Sequence, residues 1–165
     1  MMTISLSDGL LIAQAVILFI GLGFTALSVW NTKRDNRRMA TVDLILRQRE
    51  NKTLNDAVYI ITSLVKGNDF PSLHQYLDKE KHPNERKAIL DLLNYREFVA
   101  VGINIGIIDE EICKRSYYNI ILRDWKWMRQ TVESIRNSEK GHSTNFQDFE
   151  KLVKRWQKHP LKKNI

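Results

Sequence analysis

Leu10 to Trp30 is an almost unbroken apolar run, interrupted by Gln14, Thr25, Ser28 and two glycines, and Lys33, Arg34, Arg37 and Arg38 follow it at once. A helix rises ~1.5 Å per residue, so ~20 residues cross a hydrocarbon core ~30 Å thick. The run therefore predicts a transmembrane helix over residues 10–30, closed by a basic stop. The first nine residues carry no Lys or Arg and only Asp8. The positive-inside rule then places residues 1–9 outside and everything after the span in the cytoplasm. A secretory signal peptide would need a basic n-region, an apolar stretch of about 7–15 residues and a small-x-small cleavage site. Only Ala26-Leu27-Ser28 answers to any of these. A buried core helix would have to hide every side of the run inside a small domain.

Once one span is set aside from the 165 residues, the remainder suits a single domain of ordinary size. The lone Cys113 excludes an internal disulfide, and its apolar helical surroundings fit a small buried hydrophobe better than a reactive thiol. The net charge is +7, and all the basic residues follow the span. Such an excess favours anionic partners: lipid headgroups, nucleic acid or an acidic protein. For Lys33, Arg34, Arg37 and Arg38 the plain explanation is the positive flank that any such span carries.

Helical periodicity runs through the rest of the chain. Met39, Val42, Ile45 and Leu46 extend helical structure past the basic cluster, so residues 31–52 read as a juxtamembrane stalk. Thr53-Leu54-Asn55-Asp56 has capping-box character, and Leu54, Val58, Ile61 and Val65 then follow until Gly67 and the loop to Pro71. Ser72-Leu73-His74-Gln75 has the same spacing before a short helix, and Pro83 marks the next start. From Asn84 to Ile105 apolar residues wrap most of a helix, which makes it central. Asp109 is a good N-cap with Glu110 and Glu111 in the first turn. Tyr117, Ile121, Trp125, Met128, Val132 and Ile135 then form a heptad-like seam. Thr144 to Gln147 should cap a last helix bearing Phe149, Leu152, Val153 and Trp156, stopped by Pro160. The expectation is an all-α fold: one N-terminal transmembrane helix and, over residues 53–165, a cytoplasmic bundle of about five helices with a basic tail.

The span, the stretch NTKRDNRRMATVDLILRQR and the segment LLNYREFVAVGINIGIIDEEICKRSYYNIILRDWKWMRQTVESIR together resemble an uncharacterised family of small bacterial and phage proteins known as a domain of unknown function. The resemblance covers nearly the whole chain and supplies no catalytic residues. It implies a membrane-anchored helical protein of the bacterial inner membrane, in a prophage or mobile-element setting where antiphage defence and superinfection exclusion are common.

No chemical motif stands out. The four histidines are scattered, no HExxH or GxSxG pattern occurs, and no Gly-rich loop precedes Lys-Ser or Lys-Thr. No cofactor or metal is expected, nor enzymatic activity. Four features invite a binding role. Glu97 lies in the most apolar helix, and a carboxylate there needs a partner such as Arg123 or an oligomer interface. Tyr117, Tyr118, Trp125 and Trp127 are interleaved with Arg115, Arg123, Lys126 and Arg129, a pattern able to stack and neutralise nucleic acid, although helical spacing turns most of the aromatics to the core. Lys151, Lys154, Arg155, Lys158, Lys162 and Lys163 form an acid-free basic tail suited to a polyanion. Within the span, Gln14, Gly21 and Ser28 recur every seven residues with Thr25 beside them, a small and polar stripe on which spans associate and which could line a pore. The polar stripe, the heptad-like seam and the basic domain lead to a non-enzymatic homo-oligomeric membrane effector. The competing expectations are an adaptor that binds a phage or host protein, and a membrane-tethered nucleic-acid binder.

Overall fold

In the computed structural model, which describes residues 6–66 and 72–161, every element is helical and no strand occurs among the described residues. Helix α1 (Leu6–Glu50) is followed by α2 (Lys52–Val65), a 3-10 helix (Leu73–Leu77), α3 (Pro83–Asn104), α4 (Glu110–Arg136) and α5 (Gln147–Lys158). The chain divides into two compact units at Met39 and Ala40. That boundary falls inside the segment 31–52 expected as a stalk, because Thr41 and Ile45 are already core residues of the second unit.

In the first unit the apolar side chains from Leu10 to Trp30 stand exposed, Phe19 by 76 %. Among the described residues α1 is the one helix long and apolar enough to cross a membrane. An exposed apolar surface on that scale is stable only in an apolar solvent or under a partner.

The helical domain from Ala40 onward is built on α3, whose Ala88, Ile89, Leu92, Leu93, Val99, Ala100 and Ile103 are all buried. It packs against α2 and α5. Pro83 opens α3 at a position where its missing N–H costs nothing. Asn51, two residues before the expected Thr53, caps α2 by accepting from Leu54 N at 3.0 Å, because α1 runs on to Glu50 and the cap must follow at once. Residues 73–77 close as a 3-10 turn without a bond from the Ser72 side chain, too short for an α-helix. Asp109 caps α4 as expected, accepting from Ile112 N at 3.2 Å. Between α3 and α4, Gly106 adopts φ 78°, and the Gly102 carbonyl accepts from both Ile107 N and Ile108 N.

The α4 seam is used up inside the domain. Tyr117, Ile121, Trp125, Met128 and Val132 are buried there, with α4 packed against α3, α5 and the 3-10 helix, so this surface is not open to a second chain. Cys113 lies on the same face with no exposed surface, and burial pushes its thiol up to about 11. The unfolded thiol deprotonates near pH 8.5 and the native one does not, so this group lowers stability as pH rises from there toward 11. At pH 8 a thiol-specific reagent should leave the native protein unmodified and label it fully in urea; rapid native labelling would contradict the burial.

Two polar positions depart from expectation. Glu97 does not pair with Arg123. Its carboxylate accepts from Asp148 N at 3.2 Å and Phe149 N at 2.7 Å, and so caps the N-terminus of α5 from another helix. The expected local cap from Thr144 is replaced because Phe146, at the cap position, takes a left-handed φ of 57° and offers no side-chain acceptor. Arg123 instead meets Asp124 at 2.9 Å, and the buried pairing belongs to Arg96 and Asp124 at 2.8 Å. One residue along a helix is a turn of ~100°, which separates a core-facing Arg96 from a rim-facing Glu97. Glu97→Ala should cost about 1 kcal/mol, read as faster amide exchange at Asp148 and Phe149; unchanged exchange would refute the cap.

Candidate anion-binding groove

Helices α4 and α5 leave a groove of about 440 Å³ between them, lined by Trp125, Lys126, Trp127, Arg129, Glu133, Glu150 and Lys154 among others. Its two tryptophans arise from a local feature of α4. Trp125 and Trp127 are two positions apart, so the first turns inward, edge-on to Phe149 with ring centroids 5.1 Å apart, while the second stays half-exposed. Arg123 lies over the Trp127 indole at 4.6 Å. The cations come from both helices: Lys126 and Arg129 from α4, Lys154 from α5.

The carboxylates temper that charge. Arg129 approaches Glu133 at 3.7 Å, and Glu150 takes Lys154 at 2.7 Å and Arg136 at 2.8 Å. The hydrogen bonds from Lys154 and Arg136 hold the Glu150 carboxyl below its ordinary range. Three cations against two carboxylates leave a modest positive balance beside an aromatic wall. That combination suits a planar or phosphate-bearing anion better than a neutral solute. Among the described residues no cluster of three His, Cys, Asp or Glu side chains could hold a metal ion.

The basic tail is only partly available for such a role. Arg155 is committed to Glu110 at 2.9 Å, and Lys154 to Glu150, whereas Lys151 and Lys158 are exposed. Lys162 and Lys163 lie outside the described residues. The aromatic and basic interleaving of α4 separates by face, with Tyr117 in the core and Trp127, Arg129 and Lys126 toward the groove. The sequence contained the ingredients but not the pairing of α4 with α5 that adds Lys154.

On α1, Thr25 Oγ1 donates to the Gly21 carbonyl at 2.8 Å and Thr32 Oγ1 to the Ser28 carbonyl at 2.9 Å, so these hydroxyls are satisfied within the helix. Gln14, Gly21 and Ser28 keep their seven-residue spacing along it. In the basic flank, Lys33, Arg34 and Arg38 are exposed and Arg37 half-buried, with the Arg34 guanidinium 5.9 Å from the Trp30 ring.

The fold and its surface define an all-helical domain preceded by a helix of membrane-spanning length and composition. The chain belongs to the family described as "Domain of unknown function (DUF4760)", which matches residues 15–156. No curated protein and no solved structure matches it.

Proposed function

We propose that this protein is a single-span, non-enzymatic effector of the bacterial inner membrane, with the segment before the span outside and the helical domain in the cytoplasm, and that it acts in antiphage defence as a homo-oligomer. The apolar surface of α1 from Leu10 to Trp30, exposed on every side, carries this reading. A single span can perturb or open a bilayer only by assembling. The stripe of Gln14, Gly21, Thr25 and Ser28 supplies a surface for that assembly, since small residues let spans approach and polar ones seek partners across them. The basic flank at Lys33, Arg34, Arg37 and Arg38 sets the orientation. The groove between α4 and α5, with its indoles and cations, is where a cytoplasmic anionic ligand, nucleic acid included, would bear on the domain.

The test combines three measurements on cells expressing the full chain: a C-terminal reporter for topology, crosslinking for assembly, and a membrane-potential dye. Cytoplasmic reporter activity, crosslinked oligomers and depolarisation are expected, with Gln14→Ala and Ser28→Ala reducing the last two. A monomer that leaves the potential intact in infected cells would instead make the protein an adaptor for a phage or host protein. Periplasmic reporter activity would invert the topology.

A further inference from the structure

The groove between α4 and α5 has a direction. Tyr118 meets Trp156 toward one end of the two helices and Arg136 meets Glu150 toward the other, so α4 and α5 run antiparallel. On α4 the lining residues Leu122, Lys126, Arg129 and Glu133 follow at helical spacing, as do Glu150, Lys154 and Gln157 on α5, so each set forms one helical face. Leu122 and Gln157 therefore stand at one end of the groove, Glu133 and Glu150 at the other, and Lys126, Arg129 and Lys154 between them. Trp127 lines the same middle stretch, and Arg123, which lies over its ring, is not among the lining residues.

Two of the middle cations can change partner at little cost. Arg129 stands 3.7 Å from Glu133, beyond hydrogen-bond reach. Lys154 bonds Glu150 at 2.7 Å, but that carboxylate also takes Arg136 at 2.8 Å, and Arg136 is itself fixed by its bond to the Asn145 carbonyl. The Lys154 side chain, 70 % exposed, can turn to a ligand without stranding Glu150. With Arg136 included, four cations face two carboxylates. A phosphate monoester carries about −1.5 to −2 charges at pH 7, so one such group balances the site. A second phosphate would meet Glu133 and Glu150 in one direction and the uncharged Leu122 and Gln157 in the other. The indole of Trp127 offers a surface on which any base can stack. Gln130 and Gln157 bring amides that both donate and accept, as the edge of a base requires. The volume of about 440 Å³ also suits a small molecule.

We infer that the groove binds a single nucleoside monophosphate, with its base on Trp127 and its phosphate held by Arg129 and Lys154. The inference rests on the groove being the anion site of the domain. The purified full chain in detergent is dialysed to equilibrium against the four common nucleoside monophosphates, their nucleosides, inorganic phosphate and a short single-stranded oligonucleotide. At least one monophosphate should bind about tenfold more tightly than its nucleoside or inorganic phosphate. Trp127→Ala should remove that advantage while leaving phosphate binding unchanged, and Trp127→Phe, which keeps a stacking ring, should retain most of it. Lys154→Gln should weaken monophosphate and phosphate alike; Lys81→Gln, outside the groove, should weaken neither. Monophosphates that bind no more tightly than inorganic phosphate, or that keep full affinity in Trp127→Ala, overturn the inference and leave the groove an anion site. Tighter binding of the oligonucleotide than of any monomer also overturns it, in favour of nucleic acid. If no anion binds, the anion site falls with it.

Discussion

Asp124→Ala is expected to cost the helical domain about 3–5 kcal/mol, the effect of stranding one charge of a buried ion pair. Asp124 has no exposed surface, and its partner Arg96 is only 2 % exposed at the side chain, with Nε and a terminal nitrogen on the same carboxylate oxygen at 2.9 and 2.8 Å. Removing the carboxylate leaves the buried Arg96 guanidinium, 5.6 Å from the Tyr95 ring, without the counter-charge it meets in the core. Arg123, on the rim, can turn to water and loses little. For a domain of this size the thermal midpoint should fall by roughly 10–20 °C, measured by tryptophan fluorescence of the full chain in detergent. The double replacement Arg96→Met with Asp124→Leu should recover most of the loss, because two apolar side chains need no pairing. A single variant melting within a few degrees of the parent would show that the pair is not buried in solution.

Trp156→Ala is the second large effect, about 3–5 kcal/mol, from the cavity left by a wholly buried aromatic. Trp156 stacks on Tyr118 with centroids 6.1 Å apart, and its Nε1 donates to Glu110 Oε1 at 2.8 Å, so one side chain fastens α5 to α4 by packing and by a hydrogen bond. Trp156→Phe keeps most of the volume and should cost far less, since Arg155 still satisfies Glu110. Hydrogen exchange distinguishes a local from a global loss: in Trp156→Ala the amides of α5 should exchange fastest while those of α3 keep more protection. Equal loss across all helices would contradict a docked, separable α5.

Local signals carried the reading of the sequence a long way. The apolar run, Asp109 as a cap, Pro83 as a first helical residue and Pro160 as a stop each act over a few residues, and each corresponds to an element of the structure. The heptad-like seam on α4, which suggested assembly between chains, is spent within its own domain, and Asp124 falls on it, between Ile121 and Met128, where an acid requires a deep cation. That cation is Arg96, one residue before the more conspicuous Glu97. Other features depend on tertiary neighbours and leave no local trace. Phe146 has no reason in its own sequence to adopt a positive φ, and the cap of α5 comes from residue 97. The groove required α4 and α5 to be adjacent before Lys154 could join Lys126 and Arg129.

The cap supplied by Glu97 also has a kinetic side. The first N–H groups of α5 find their acceptor on α3, so α5 becomes fully hydrogen-bonded only on a platform that has already formed. Residue 97 leaves the ribosome some fifty residues ahead of Phe149, so the order in which the helices can be completed is the order in which they are made. Assembly of the domain can then run in one direction along the chain, with α5 closing over the core as its final step.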